Sequence, residues 1–162
     1  MQTTKIEHAV QTDCESCVDF IWGGVLGKRY YPTKKVLSHK VKQGIENDCF
    51  FVTRDDAGYL LGILWYQLEG AFNTYPYLHL IAVKEDSQKQ GLGTKLMDFF
   101  EDNVLTNGRN QLATKVFLVT SNYTSVAERM YVNRGYIKVC EIEDLFRRKM
   151  TEKLYMKILI KE

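Results

Sequence analysis

The sequence predicts an α/β (α+β) fold: a mixed, mostly antiparallel central sheet with helices on both faces, in the order β-α-α-β-β-β-α-β-α-β-β. Three observations predict it. Residues 49–84 hold three strand-like runs, CFFVTR, YLLGILWYQL and YLHLIAVK, parted by short turn-forming stretches. A glycine pair then opens a run of helical periodicity that leads into the apolar run KVFLVTS. The chain closes on two more strand-like runs, YIKVCEI and KLYMKILI.

KIEHAV (5–10) reads as the first strand, and a helix is expected from about Thr12 to Trp22. The glycine-rich, aromatic stretch GGVLGKRYYP (23–32) reads as a loop. Thr33 is placed to cap a second helix, in which Val36, Leu37, Lys40, Val41 and Ile45 follow a 3.6-residue period. The strands 49–54, 59–68 and 77–84 follow, the first two joined by the turn DDAG, with a turn at Leu68-Glu69-Gly70 before the third. Pro76 would be the third strand's first residue or lie just outside it. After the glycines, Leu92, Leu96, Phe99 and Phe100 share a helix face that ends at Asn107-Gly108. A buried strand (115–121), a helix over 124–134 and the strands 136–142 and 153–160 complete the chain.

These 162 residues suit one domain, 1–162, able to bury roughly 70% of the surface of the unfolded chain. Lys plus Arg number 22 against 20 Asp plus Glu, so a net charge of +2 points to neither nucleic acid nor a membrane surface. The N-terminus MQTTKIEHAV lacks the apolar core of a signal peptide, and a cytoplasmic protein is expected. Cys14 and Cys17 have C-x-x-C spacing but lie on the apolar face of a predicted helix with Val18 and Ile21, as small buried hydrophobes would. His8, His39 and His79 offer no spacing that would complete a metal site with them, so no metal is expected.

The segment DSQKQGLGT carries the chemistry. It lies between the strand-like LHLIAV and a helix, where first-turn N–H groups and the helix dipole attract anions. Gly91 and Gly93 allow close approach, and Lys89 and Lys95 add charge, so a phosphate or pyrophosphate is the natural guest. Neither the G-x-x-x-x-G-K-[ST] nor the G-x-G-x-x-G pattern fits; Leu96 occupies the third glycine position of the latter. Gln88-Lys89-Gln90-Gly91-Leu92-Gly93 does match [QR]-x-x-G-x-[GA], and farther on come Ala127, Tyr131, Gly135 and Tyr136 in the spacing A-x-x-x-Y-x-x-x-G-Y. The two motifs together, with an element order that covers nearly the whole chain, resemble the GCN5-related N-acetyltransferase (GNAT) family.

The resemblance implies an acetyl-CoA-dependent N-acetyltransferase acting on a primary amine of a small molecule or peptide by direct attack. It places Ile81, Ala82 and Val83 against the pantetheine arm and Gln88, Lys89, Gln90, Gly91, Leu92, Gly93 and Thr94 around the pyrophosphate. Tyr131 becomes the general acid that protonates the departing thiolate and touches the cofactor; a thiol near pKa 8.5 and a phenol near 10 make that transfer only ~2 kcal/mol uphill. A main-chain N–H at Ile81–Val83 would stabilise the oxyanion.

Two positions depart from the family pattern. Where an Asn is common seven residues before the Tyr, this chain has Thr124, which would supply a weaker cofactor contact, with Asn122 two residues early. Where some members carry a Glu base, twelve residues before the Tyr, this chain has Val119. His79 shares strand parity with Tyr77, Ile81 and Val83 and titrates in the useful range, which makes it the candidate base, with Glu69 a weaker one.

The acceptor would be shaped by residues 22–35 and 66–77, whose aromatic residues, with Lys28 and Arg29, suit a small anionic or aromatic amine. KLYMKILI could pair between two copies as a homodimer. A catalytically silent acyl-CoA-binding sensor on the same fold is the alternative reading.

Overall fold

The computed structural model describes residues 4–108, 113–121 and 125–160. Strand β1 (Lys5–His8) precedes three helices, α1 (Cys14–Gly23), α2 (Val25–Tyr30) and α3 (Lys34–Asn47). Strands β2 (Cys49–Arg54), β3 (Leu60–Ala71) and β4 (Tyr75–Val83) follow, then α4 (Leu92–Asn107), β5 (Ala113–Ser121) and α5 (Ser125–Asn133). Strands β6 (Ile137–Glu143) and β7 (Thr151–Ile160) come last.

Among the described residues the sheet has seven strands, in the order β1-β2-β3-β4-β5-β7-β6. β4 and β5 run parallel, while β1–β2, β2–β3, β5–β7 and β6–β7 are antiparallel, the mixed sheet the sequence predicts. No helix among the described residues is long and apolar enough to cross a membrane. The chain sorts into two compact units, Met1–Tyr66 with Leu80–Phe100, and Gln67–His79 with Glu101–Glu162.

In the first unit the helical period of α1 turns Cys17, Val18 and Ile21 to one side, where they join Leu37 and Val41 of α3 and Phe50, Val52 and Ile63 in a buried core. Burial pushes the Cys17 thiol up to about 12, which suits a small hydrophobe rather than a reactive group. Thr33 caps α3, its Oγ1 accepting from the Val36 N–H at 3.2 Å. Gly44 of α3 makes room for Trp65: a Cβ there would lie 2.5 Å from the indole, whose Nε1–H donates to Asp48 Oδ2 at 2.8 Å. Strand alternation sends Phe51 and Tyr66 the other way, where their rings meet Phe99 and Phe100 of α4 edge-on, at 4.8 and 4.9 Å.

One connector differs from expectation. GGVLGKRYYP contains α2 rather than a loop. Gly27 is buried, and a Cβ on it would lie 2.3 Å from the Ile21 carbonyl oxygen, so this glycine lets two helices approach instead of breaking one. Lys28 and Arg29 fall in the last turn of α2, where cations meet the negative end of the helix.

In the second unit the β3–β4 turn has Phe72 and Asn73 at its centre, both at positive φ (55° and 52°), and Thr74 N–H returns to Ala71 O at 3.1 Å. This type I′ geometry matches the twist of the flanking strands. Both strands are longer than the sequence predicts. Glu69, expected in a turn, lies inside β3, and Pro76 is the second residue of β4. β7 sits between β5 and β6, with Phe117 opposite Met156 on one side and Ile137 opposite Met156 on the other. Both backbone edges of β7 are therefore used within the chain over Glu152–Met156, so this part of KLYMKILI has no free edge for a second copy.

Candidate active site

In the first unit, β4 passes into a 3-10 turn at Glu85–Ser87 and then into the glycine segment. Two side chains tie the segment down. Gln88 Nε2 donates to Val83 O at 3.0 Å, and Gln90 Nε2 donates to Asp86 O at 3.1 Å. Lys89 and Gly91 both take positive φ, 60° and 81°. A Cβ on Gly91 would have no protein atom within 4 Å, so the glycine faces open space.

Lys95 N–H makes a first-turn bond of α4 back to Gly91 O at 3.0 Å. The N–H groups of Leu92, Gly93 and Thr94 precede it and have no intrahelical acceptor. A concavity of main-chain donors at the positive end of a 16-residue helix is the chemistry of an anion cradle. The Leu92 side chain is buried in the core, so this residue can offer only its backbone, and the same holds for Ala82, packed against the core cluster. The two glutamines, expected among the ligands, hold the loop in shape. Ile81 and Val83 are half-buried at the end of β4.

Tyr131 lies in the second unit, near the end of α5, and is 5% exposed. Gly135, at φ 88°, lets the chain leave the helix, and Tyr136 N–H donates back to Tyr131 O at 3.0 Å. The Tyr136 ring meets that of Tyr131 edge-on at 5.8 Å. Behind it, Glu101 accepts from Arg134 Nε at 3.2 Å and from Lys157 Nζ at 2.9 Å. Burial, beside the Glu101 carboxylate, raises the Tyr136 phenol pKa far above its usual value, so this Tyr stays protonated. One turn before Tyr131, Glu128 accepts from Lys153 Nζ at 2.8 Å and from the Tyr155 hydroxyl. Those bonds hold its carboxyl below the usual carboxylate range. The frame ties α5 to β7 directly through Glu128, and the residue after the helix, Arg134, to β7 through Glu101.

A family model described as "Acetyltransferase (GNAT) domain" matches residues 46–138, more than half of the chain. The chain belongs to the GNAT acetyltransferase family. It is an acyltransferase, of a family that generally draws on acetyl-CoA. It is 30% identical over 136 residues to S-(2-succino)cysteine N-acetyltransferase of Bacillus subtilis (strain 168), covering 82% of this chain and 78% of that one. Two solved structures share its fold at a TM-score of 0.77. One is a GNAT-family acetyltransferase from Desulfovibrio desulfuricans, at 19% identity with 96% of this chain and 98% of that one covered. The other is Ard1 from Thermoplasma volcanium, at 21% identity with 98% and 99% covered.

The remaining GNAT positions fall as follows. His79 is an exposed residue of β4, its ring 6.2 Å from that of Tyr77, and Glu69 is exposed on β3. Val119 is half-buried on β5, opposite Leu154. Thr124 and Asn122 lie outside the described residues. The Glu101 and Glu128 networks were absent from the sequence reading, for their partners are 33, 56 and 25 residues away in the chain.

Proposed function

We infer that this GNAT domain, a single domain over 1–162, transfers acetyl from acetyl-CoA to a primary amine of a small molecule. The observation that carries the cofactor assignment is Gly91. It stands at positive φ with open space where a side chain would be, directly before the first-turn amides of α4. A pyrophosphate fits such a cradle, and the pantetheine arm would lie along Ile81–Val83. Acetyl-CoA supplies the acetyl group as an activated thioester.

The chain's own residues do the rest. Main-chain N–H groups around Lys89–Thr94 hold the pyrophosphate, and Lys89 adds charge from an exposed position. A main-chain N–H at the end of β4 donates to the carbonyl oxygen as negative charge develops on it. An alkylammonium near pKa 10 is only about one part in 10³ neutral at pH 7, so a proton must leave the amine first. His79 takes it, and its solvent exposure gives the proton a route to water. The amine attacks, the C–S bond breaks, Tyr131 gives its phenolic proton to the departing sulfur, and the second proton shed by the nitrogen as the amide forms returns through water to the Tyr131 phenolate.

The acceptor we propose is an amino acid carrying a second anionic group on its side chain. The B. subtilis relative is named for such a substrate, an S-substituted cysteine, and Lys28 stands exposed in α2 to meet a carboxylate.

The test is Tyr131→Phe assayed for CoA release with a panel of S-substituted cysteines, polyamines and peptide N-termini. The variant should bind CoA within about twofold of the parent and lose roughly 10²-fold in kcat. Full activity of the variant across pH would remove the assigned acid. Turnover confined to polyamines would remove the assigned acceptor.

A further inference from the structure

Helix α5 ends two residues after Tyr131, at Asn133, and the last carbonyls of a helix have no donor within it. Helix ends fray, so a proton donor carried there would wander unless the closing turn held it. Here the turn supplies the donors. Arg134 N–H is shared by Met130 O and Tyr131 O at 3.1 Å, and Gly135 N–H donates to Val132 O at 3.0 Å. Tyr136 N–H donates to Tyr131 O, also at 3.0 Å. The last two are the paired 5→2 and 6→1 bonds of a Schellman motif, with Gly135 in its left-handed position at φ 88°. In that motif the side chain after the glycine often packs on the residue that accepts its N–H. Those two residues are Tyr136 and Tyr131, and their rings meet at 62°. The spacing Y-x-x-x-G-Y is therefore a helix stop built around the candidate acid.

The far side of Tyr136 is fixed as well. Lys157 Nζ stands 5.6 Å from the centroid of its ring, a cation–π contact, and the same ammonium donates to Glu101 at 2.9 Å. Arg134, between the helix and the glycine, holds the same carboxylate through Nε and Nη2. Two residues of the helix stop thus bear on one carboxylate of α4 and one lysine of β7. Tyr136 is 3% exposed and Tyr131 5%, and in close packing a change in the tilt of one ring displaces the other.

We propose that Tyr136 is the positioning residue for Tyr131, its ring setting where the phenol points, an inference that rests on reading Tyr131 as the acid for the departing thiolate. A misplacement of about 1 Å can slow a reaction on the order of 10²-fold, so a wall behind the donor matters although it touches no substrate. The ring carries the role. The Tyr136 hydroxyl, buried beside the Glu101 carboxylate, makes no hydrogen bond of regular geometry among the described residues.

A double-mutant cycle on the full chain tests this, reading kcat with acetyl-CoA and the acceptor panel above, and CoA affinity by calorimetry. Tyr136→Leu should lower kcat about 10- to 30-fold and leave the Kd for CoA within about twofold. Tyr136→Phe keeps the ring and should stay within about twofold of the parent in both. In the Tyr131→Phe background Tyr136→Leu should cost less than about twofold, because a residue that acts through another has no effect without it. Lost stability alone would not give this pattern: Gly44→Ala, strained elsewhere, should keep its kcat per folded molecule. If Tyr136→Leu does not fold, Lys157→Met takes its place; the ring loses its cation, and kcat should fall about three- to fivefold, again only where Tyr131 is present. Equal losses in the two backgrounds overturn the proposal, as does a Tyr136→Leu enzyme, or its Lys157→Met stand-in, as fast as the parent. Equal slowing by Tyr136→Phe and Tyr136→Leu overturns the assignment to the ring. Tyr131→Phe at full activity, or no turnover of any acceptor, removes the acid itself and the positioning role with it.

Discussion

Arg134 and Glu101 meet fork to fork: Nε donates to Oε1 at 3.2 Å, and Nη2 lies 3.1 Å from Oε2. Two parallel charge-assisted bonds set orientation as well as distance, which a lysine could not do. Because Arg134 follows the last turn of α5, the pair fixes where that helix ends. Lys157 completes the cluster from β7, on the second carboxylate oxygen.

Removing the carboxylate charge should therefore be costly. Glu101→Gln leaves two half-buried cations without their anion, a loss of roughly 3 kcal/mol, or a melting temperature lower by about 6–12 °C. Arg134→Lys keeps the charge and loses the fork, so its melting temperature should fall between those of the parent and Glu101→Gln. Calorimetric melts at neutral pH check both.

The Glu128–Tyr155 bond predicts stability against pH in both directions. Lys153, and then the Tyr155 hydroxyl, hold the folded Glu128 carboxyl below its usual range. Its contribution is present above the unfolded carboxylate value, near 4.3, and is lost as pH falls through the lower folded value. Burial, and then the Glu128 carboxylate, push the Tyr155 phenol up to about 12. That contribution is complete below the unfolded value of about 10 and disappears as pH rises from there to about 12. Urea midpoints across pH, for the parent and Tyr155→Phe, should differ between those limits and converge outside them.

At Gly91 the backbone and the ligand make separate demands. Gly91→Ala meets no protein atom, so its effect on folding should be the φ strain alone, about 1–2 kcal/mol. Its methyl group would stand in the cradle, and CoA affinity by calorimetry should fall at least tenfold. Lys89→Ala, on an exposed side chain, should cost only about threefold at physiological salt. The reverse ranking would move the phosphate contact from main chain to side chain.

Gly44→Ala tests the Trp65 packing. Alanine favours a helix by about 1 kcal/mol over glycine, but its Cβ would lie 2.5 Å from an indole that its bond to Asp48 holds in place. Overpacking costs roughly 1–3 kcal/mol, so the net change should be destabilising despite the gain in propensity. A thermal melt that rises would show that the indole moves aside.

How far the sequence could be read depended on how local each cause was. β2 spans the predicted residues because its apolar run is bounded by turn chemistry on one side and a helix end on the other. α3 was readable from Thr33, and α4 from the four apolar residues of one face. α2 was hidden by its glycines, since a residue that breaks an isolated helix here serves the close approach of Gly27 to α1. The β3–β4 turn was misplaced because Phe-Asn lacks the glycine that usually marks type I′ geometry. In the candidate site, Gly91 and Tyr131 stood out through motif spacing. Gln88 and Gln90 stood out by position, but their side-chain bonds to Val83 O and Asp86 O could not be read from a motif. The Glu101 and Glu128 partners come together only in the folded chain.

The place of β7 bears on how the protein is made. It is the last of the described strands in sequence, yet it inserts between β5 and β6, and among the described residues β6 pairs with no other strand. During synthesis β6 must therefore wait, unpaired, until the strand that joins it to the sheet has left the ribosome. The half of the fold that carries Tyr131 can close only then, and a stop codon ahead of Thr151 would leave β5 and β6 without the strand that joins them, open to any chaperone within reach.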